Sequence, residues 1–317
     1  MRLPRKFYSC WVRKDTFNKI TMNQLTYHLL MALLAAKDAG RAILDVYNQD
    51  FDISYKDDHS PLTLADQRSH SIIVSHLSDL TGECLPILSE EGKSISYKQR
   101  RRWEYFWMVD PLDGTKEFIK KNDEFTVNIA QIHQNRPILG VIYIPVKDVL
   151  YFAGEGLGAY RMDNSDILAL STQRPFKNDP AGVLKTILAG SIKLPDDKHR
   201  FEKKDSQITI VGSRSHATKE LKAFIETMRK KHEQVEFISA GSSLKLCLVA
   251  EGRADIYPRL GPTMEWDTAA GQVIVEQAQG SVLNYEMDEP LRYNKKNLLN
   301  PWFIARINDD KLVKSLL

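Results

Sequence analysis

At 317 residues, 43% hydrophobic and 27% charged, the chain has the composition of a globular protein with apolar material for one large or two modest domains. A net charge of +3 gives no argument for an obligatory nucleic-acid partner, so any basic groups that matter act locally. Three scattered cysteines, Cys10, Cys84 and Cys247, exclude a disulfide scaffold and a thiolate metal site; they point to a reduced, cytoplasmic chain, with Cys84 and Cys247 in the core.

Residues 1–21 mix Arg2, Arg5, Lys6, Arg13 and Lys14 with Phe7, Tyr8 and Trp11, and no continuous apolar run follows. They are neither a secretory signal nor a membrane span. They read as an extension: a disordered tail ahead of a start at Met22, or a peripheral contact with an anionic membrane surface, which would be the cytoplasmic face of an inner membrane. Leu25, Leu29, Leu33, Ala36, Ile43 and Val46 have helical spacing, and Leu64 to Leu77 reads as a second helix opened by Ser60, Pro61 and Thr63. Leu85 to Leu88 is a short strand, followed by a basic loop at Lys98 to Arg102. Tyr105 to Val109 is a strand running directly into Asp110, and Phe125 to Ile132, Ile138 to Tyr143 and Val149 to Ala153 are further strands separated by turns. Residues 163–206 are polar and rich in proline, and read as a domain junction with a surface insertion at about 179–205. Ile208 to Val211 is the next strand; helices follow at His216 to Lys231, Ser242 to Glu251 and about Thr268 to Ala278. The expected division is 22–206, an α+β domain, and 207–317, an α/β domain.

The most informative segment is Asp110-Pro-Leu-Asp113-Gly-Thr115, at the end of an apolar strand. Pro111 has no N–H and a fixed φ, so the strand is expected to stop there and turn. Such a turn aims Asp110, the Leu112 carbonyl and Asp113 at one point, a donor set suited to hard divalent cations. Gly114 and Thr115 can open a helix whose free N–H groups receive a phosphate. A single Asp in a turn needs no such account, but Glu90-Glu91 closes another apolar strand, Asp66 lies on the second helix, and Asp267 stands at the start of a later one, where a plain N-cap is the alternative and is compatible with metal binding.

Asp66, Glu90-Glu91, Asp110 to Thr115, and Trp266-Asp267 followed by Gln279-Gly280 resemble, in order and spacing, the signature of the inositol monophosphatase superfamily of lithium-sensitive phosphatases. The likeness spans about residues 25 to 305, with one departure: Gln279 stands where the family usually has glycine. It implies an α+β fold, the layered α-β-α-β-α sandwich. It implies two or three Mg²⁺ ions held by Glu90, Asp110, the Leu112 carbonyl, Asp113 and Asp267. Asp66 and Thr115 would activate water, Gly114 and Thr115 would hold the scissile phosphate, and Lys56 would lie at the edge of the site.

Asp123 to Ile129, Gly212 to His216, Gly241 to Lys245 and Tyr257 to Thr263 resemble the bisphosphate nucleotidase branch of that superfamily. A nucleoside bisphosphate carries a second phosphate away from the cleaved one, which calls for cations; His216, Lys245 and Arg259, with Ser242 as a polar contact, are the candidates. Glu90, Leu112, Asp113 and Asp267 would also face this substrate. The implied partner is a small molecule, and the chain a monomer or homodimer. An inositol or sugar phosphatase is the rival within the class. A non-catalytic anion-binding relative is the rival outside it, disfavoured because every acidic position is present.

Overall fold

The computed structural model describes residues 20–49, 53–55, 61–78, 85–166, 168, 178–196, 207–213 and 218–308. Most of the basic extension, and with it Cys10, together with Lys56, Cys84 and His216, lies outside them. The first helix, Met22–Tyr47, begins three residues earlier than its apolar spacing suggests because Thr21 caps it. The Thr21 hydroxyl accepts from the Gln24 N–H (3.3 Å), and the Gln24 side chain accepts from the Thr21 N–H (2.9 Å). A short hairpin, β1 (Ile53–Tyr55) and β2 (Pro61–Thr63), leads into the second helix, Leu64–Ser78.

These two helices cover one face of a seven-stranded sheet. Its strands lie in sequence order: β3 (Ile87–Ser89), β4 (Tyr105–Asp113), β5 (Thr126–His133), β6 (Arg136–Ile144), β7 (Val149–Gly154), β8 (Gly158–Asp163) and β9 (Ile192–Leu194). Only β3 and β4 pair in parallel. Successive residues of β4 point to opposite faces: Tyr105, Trp107 and Val109 join the core under the first helices, whereas Phe106 and Met108 join the core on the other side. Both faces are covered, which is why this strand reads as an unbroken apolar run.

The second sheet contains β10 (Gln207–Gly212), β11 (Gln234–Ser239), β12 (Ile256–Arg259), β13 (Gly280–Asn284) and β14 (Phe303–Ile307), in the order β11-β10-β12-β14-β13. Helices Leu244–Glu251 and Glu265–Gln277 fill the space between the sheets. Helix Lys219–Lys231 closes the outer face with Met228 against Ile208, Ile210 and Ile256. The layers run α-β-α-β-α, as the resemblance implied. Among the described residues, no helix is long and apolar enough to cross a membrane.

Several local expectations need correction. The stretch read as a surface insertion supplies helix Pro180–Ala189, which buries Val183, Leu184 and Ile187, and edge strand β9. Pro180 sits at the first helical position behind the Asp179 cap, where a proline starts a helix. The basic loop contains a one-turn helix, Tyr97–Arg100; Arg100 is buried and donates to Asn294 Oδ1 (2.8 Å) and the Lys296 carbonyl (3.0 Å). Pro61 belongs to β2 and does not open the second helix. The helix expected from His216 is described from Lys219, capped by Thr218, and that expected from Ser242 starts at Leu244. Gln279 adopts φ 67°, the left-handed conformation for which glycine is the natural choice.

The two central layers meet at Gly140 on β6: a Cβ there would lie 2.9 Å from Ala270 Cα in the Glu265–Gln277 helix. Gly140→Ala is therefore expected to destabilise the fold by about 1–3 kcal/mol through overpacking against backbone. An unchanged thermal midpoint would disprove this close approach.

Candidate active site

Strand β4 does not stop at Pro111. It continues to Asp113 through a bulge: Asp110 pairs with Asn128 and Asp113 with Thr126, so β4 spends one residue more than β5. Pro111 has no ladder donor to lose, which makes it a natural bulge residue. The Ser69 hydroxyl donates to its carbonyl (2.6 Å), and Asp110 Oδ1 accepts from the Leu112 N–H (3.1 Å). Gly114 follows at φ 91° and starts the short helix Thr115–Ile119. The first helical hydrogen bond there runs from the Phe118 N–H to the Gly114 carbonyl (2.9 Å), so the helix makes no use of the Thr115 N–H.

Helix Leu64–Ser78 delivers Asp66 to this turn. Its Oδ2 accepts from the Thr63 N–H (2.7 Å) and hydroxyl (2.6 Å), and its Oδ1 accepts from the Thr115 hydroxyl (3.3 Å). The Thr115 oxygen also lies 3.4 Å from the Leu112 carbonyl. The structure thus joins Asp66, Leu112 and Thr115 in one hydrogen-bonded group.

The remaining carboxylates are neighbours in an electrostatic sense. Asp110 is pushed well above the usual carboxylate range, first by burial, then by the charges of Glu90, Asp113 and Asp267 and a hydrogen bond with Glu90. Asp267 is also pushed well up, again by burial first and then by the charge of Asp113. The plain alternative for Asp267, an N-cap, does not hold: Met264 is the cap, and Asp267 lies in the first turn with its carboxylate accepting from the Met264 N–H (2.9 Å). Asp110 and Asp267 each accept from a backbone N–H in their own turn, of Leu112 and Met264, while Asp113 accepts from the hydroxyls of Ser242 and Ser243. Accordingly, among the described residues no three acidic or imidazole side chains close on a common point as they stand. The all-oxygen donor set nevertheless suits a hard divalent cation, which would offset the burial and like-charge repulsion that raise Asp110 and Asp267.

Across from these carboxylates a cleft of about 140 Å³ is lined by Asp113, Gly114, Ser242, Lys245, Arg259 and Asp267, among others. Lys245 is buried, donating to the carbonyls of Ser242 (2.6 Å) and Ala240 (3.4 Å), with its ammonium 5.5 Å from the centre of the Tyr257 ring. Burial pushes it down to about 8, opposed by the charge of Asp113. Arg259 donates to the Pro262 carbonyl (2.8 Å), while its buried Nε has no hydrogen-bond partner among the described residues. Both therefore line the cleft, Lys245 buried and Arg259 half-buried. Sequence reasoning gave no role to Asn128, Ser243 or Tyr257. Strand parity across β4 and β5, which sets Asn128 opposite Asp110, is the signal that would have found the first.

The Inositol monophosphatase family matches residues 25–316, and the chain belongs to that family. It is 41% identical over 275 residues to the 3'(2'),5'-bisphosphate nucleotidase CysQ of Escherichia coli K12, covering 86% of this chain and 96% of that one. The CysQ of Buchnera aphidicola is 38% identical over 288 residues, 88% and 94% of the two chains. The crystal structure of CysQ from Bacteroides thetaiotaomicron superposes with a TM-score of 0.76 at 44% identity, covering 90% of this chain and 98% of that one.

The depressed Lys245 has a consequence for stability. In the folded chain it loses its proton near pH 8, against 10.5 for a free lysine. Between those values the unfolded chain binds more protons, so stability contributed by this residue is lowest below about pH 8 and rises toward 10.5. In EDTA, wild type is expected to gain up to about 3 kcal/mol relative to Lys245→Met between pH 7 and 10.5. Parallel pH profiles from chemical denaturation would contradict the desolvated ammonium.

Proposed function

We propose that this chain is a magnesium-dependent 3'(2'),5'-bisphosphate nucleotidase that converts adenosine 3',5'-bisphosphate to AMP and phosphate, with 3'-phosphoadenosine 5'-phosphosulfate as a further substrate. The observation that carries this reading is the pairing, in one cleft, of Asp113 and Asp267 with Lys245 and Arg259. A plain monophosphatase has use for the acidic wall; the basic wall answers a second, uncleaved anionic group. Likeness to the CysQ nucleotidases supports the same substrate class.

Glu90, Asp110, Asp113, Asp267 and the Leu112 carbonyl would hold two or three Mg²⁺ ions. Magnesium, when bound, supplies neutralisation of the ester's charge and greater acidity of water. The chain's own residues do the rest. Thr115, whose hydroxyl donates to Asp66, can accept a proton from the attacking water as its own passes to Asp66 Oδ1. The Thr63 N–H and hydroxyl hold the other Asp66 oxygen and so fix the direction of this relay. The water oxygen bonds to phosphorus and keeps its second proton, the bond from phosphorus to the 3' oxygen breaks, and that oxygen takes a proton from solvent water while Asp66 returns its own to solvent. Gly114 and Thr115 N–H groups receive the scissile phosphate, Lys245 and Arg259 the remote one, and Ser242 and His216 add polar contacts, His216 lying outside the described residues. We place the enzyme in the cytoplasm as a monomer or homodimer without nucleic acid; peripheral contact with a membrane would run through residues 1–21.

Phosphate release from adenosine 3',5'-bisphosphate should require Mg²⁺ and vanish in excess EDTA; undiminished turnover in EDTA would rule the metal reading out. Asp113→Asn should abolish turnover while leaving a folded chain, and near wild-type kcat would reject the ligand assignment.

Substrate choice is tested separately. Removing one charge-assisted contact costs about 1.5–3 kcal/mol, roughly ten- to a hundredfold in kcat/KM. Arg259→Ala should lose that factor on the bisphosphate and leave inositol 1-phosphate almost unaffected. Equal losses on both substrates would leave Arg259 with no part in reading a second phosphate.

A further inference from the structure

We infer that Ser243, backed by Asn128, is a positioning residue that sets Asp113 for cation binding and ties it to the element carrying Asp267; the inference rests on the metal-dependent reading above. Asp113 Oδ2 accepts from the hydroxyls of Ser242 and Ser243, both at 2.7 Å, and from Asn128 Nδ2 at 3.4 Å. Among the described residues, Asp113 Oδ1 receives no hydrogen bond. One oxygen of the carboxylate is thus saturated by the protein, which fixes the plane of the group and leaves the other for the cleft.

Ser243 is the centre of this clamp. Its oxygen lies 2.7 Å from Asp113 Oδ2 and 2.8 Å from the Asp267 carbonyl, and it accepts from Asn128 Nδ2 at 2.9 Å. The hydroxyl has one proton to give. Because the Asn128 amide supplies the proton on its acceptor side, the Ser243 proton is free for the two Asp oxygens. Asn128 is in turn oriented by the Thr126 hydroxyl, which donates to its Oδ1 at 2.9 Å. Four elements meet here: strands β4 and β5 of the large sheet and the starts of the Leu244–Glu251 and Glu265–Gln277 helices.

A purely structural serine at this place would behave differently. Ser243 occupies the N-cap of the Leu244–Glu251 helix, where a serine side chain ordinarily accepts from a first-turn N–H. Here the side chain makes no cap hydrogen bond; the hydroxyl is committed to the two acidic residues instead. The preceding residue, Ser242, is held at φ 50°, a left-handed conformation costly for a non-glycine residue, and its hydroxyl also reaches Asp113. The helix start has given up its own cap, and the backbone before it has taken on strain, to present two hydroxyls to one carboxylate oxygen.

The test is Mn²⁺ binding to the full chain, followed by electron paramagnetic resonance without substrate, alongside Mg²⁺ titrations of turnover. Wild type should bind Mn²⁺ saturably. Ser243→Ala and Asn128→Ala should each weaken Mn²⁺ about 10- to 100-fold, the usual range for groups that orient a metal ligand. The Mg²⁺ needed for half-maximal rate should rise in parallel, while KM for the nucleotide at saturating Mg²⁺ stays near wild type. Because the two residues act in series, the double variant should lose little more than the worse single one. Folded variants that bind Mn²⁺ as tightly as wild type would overturn the inference, as would additive losses in the double variant. Should Ser243→Ala fail to fold, Asn128→Ala decides alone. A wild-type chain that binds no Mn²⁺ would overturn both the metal reading and the clamp. Weakened Mn²⁺ binding in the variants, with no turnover of the bisphosphate by wild type, would support the clamp and remove only the proposed substrate.

Discussion

Burial of Asp110 and Asp267 beside Glu90 and Asp113 is the constraint on which the rest of the site depends. Burial and mutual proximity push Asp110 and Asp267 well above the ordinary carboxylate range, so the folded chain stores an unfavourable interaction at the junction of its layers. That interaction is tolerable because the backbone is fixed on every side. The bulge in β4 holds Asp110 and Asp113, the Pro111 carbonyl is bonded to Ser69, and Asp267 is tied to the Met264 N–H. A flexible loop would relax by separating the charges. A bulged strand between two cores, with Trp107 and Val109 on one side and Phe106 and Met108 on the other, cannot.

The basic wall is built on the opposite logic. Lys245 is withdrawn from water and held by two backbone carbonyls and the face of Tyr257, which gives its ammonium a defined place before any ligand arrives. Carboxylates held close together on one wall and a desolvated lysine on the other make a cleft whose field is set by the fold. Both walls depend on the helices between the sheets, because the Leu244–Glu251 helix carries Lys245 and the Glu265–Gln277 helix carries Asp267.

How much of this was legible in the sequence varied with the source of the signal. The apolar run at Tyr105 to Val109 and the spacing from Leu25 to Val46 reported their elements directly, because burial of that kind leaves a periodic record. Pro111 misled: the rule that proline ends a strand is sound for a regular ladder, but a bulge needs no donor at that place. The 179–205 stretch misled for a different reason. Its polar composition hid three buried residues, Val183, Leu184 and Ile187, on a single ten-residue helix, too few to lift a local average. At the site, residue types at the right spacing exposed the acidic groups, and the structure joined Asp66 to Thr115. What orients those groups was not legible, because Asn128 and Ser243 act across 115 residues of chain and neither is unusual in its own neighbourhood.

The far side of the acidic wall shows how such a site is kept in register. Glu265, two residues before Asp267, is fully buried and accepts from the Lys295 ammonium (2.7 Å), the Lys295 N–H (3.0 Å) and the Asn294 N–H. Burial raises its carboxyl even against the Lys295 charge. A buried ion pair of this kind adds little net stability, since desolvation of both charges offsets their attraction. Its value here is positional. The same stretch is anchored by Asn294, whose side chain is gripped by buried Arg100 from the short helix after β3. One polar network thus ties the short helix Tyr97–Arg100 to the helix start that carries Asp267. An apolar contact would hold them near each other; only directional hydrogen bonds with a single geometry specify how they face.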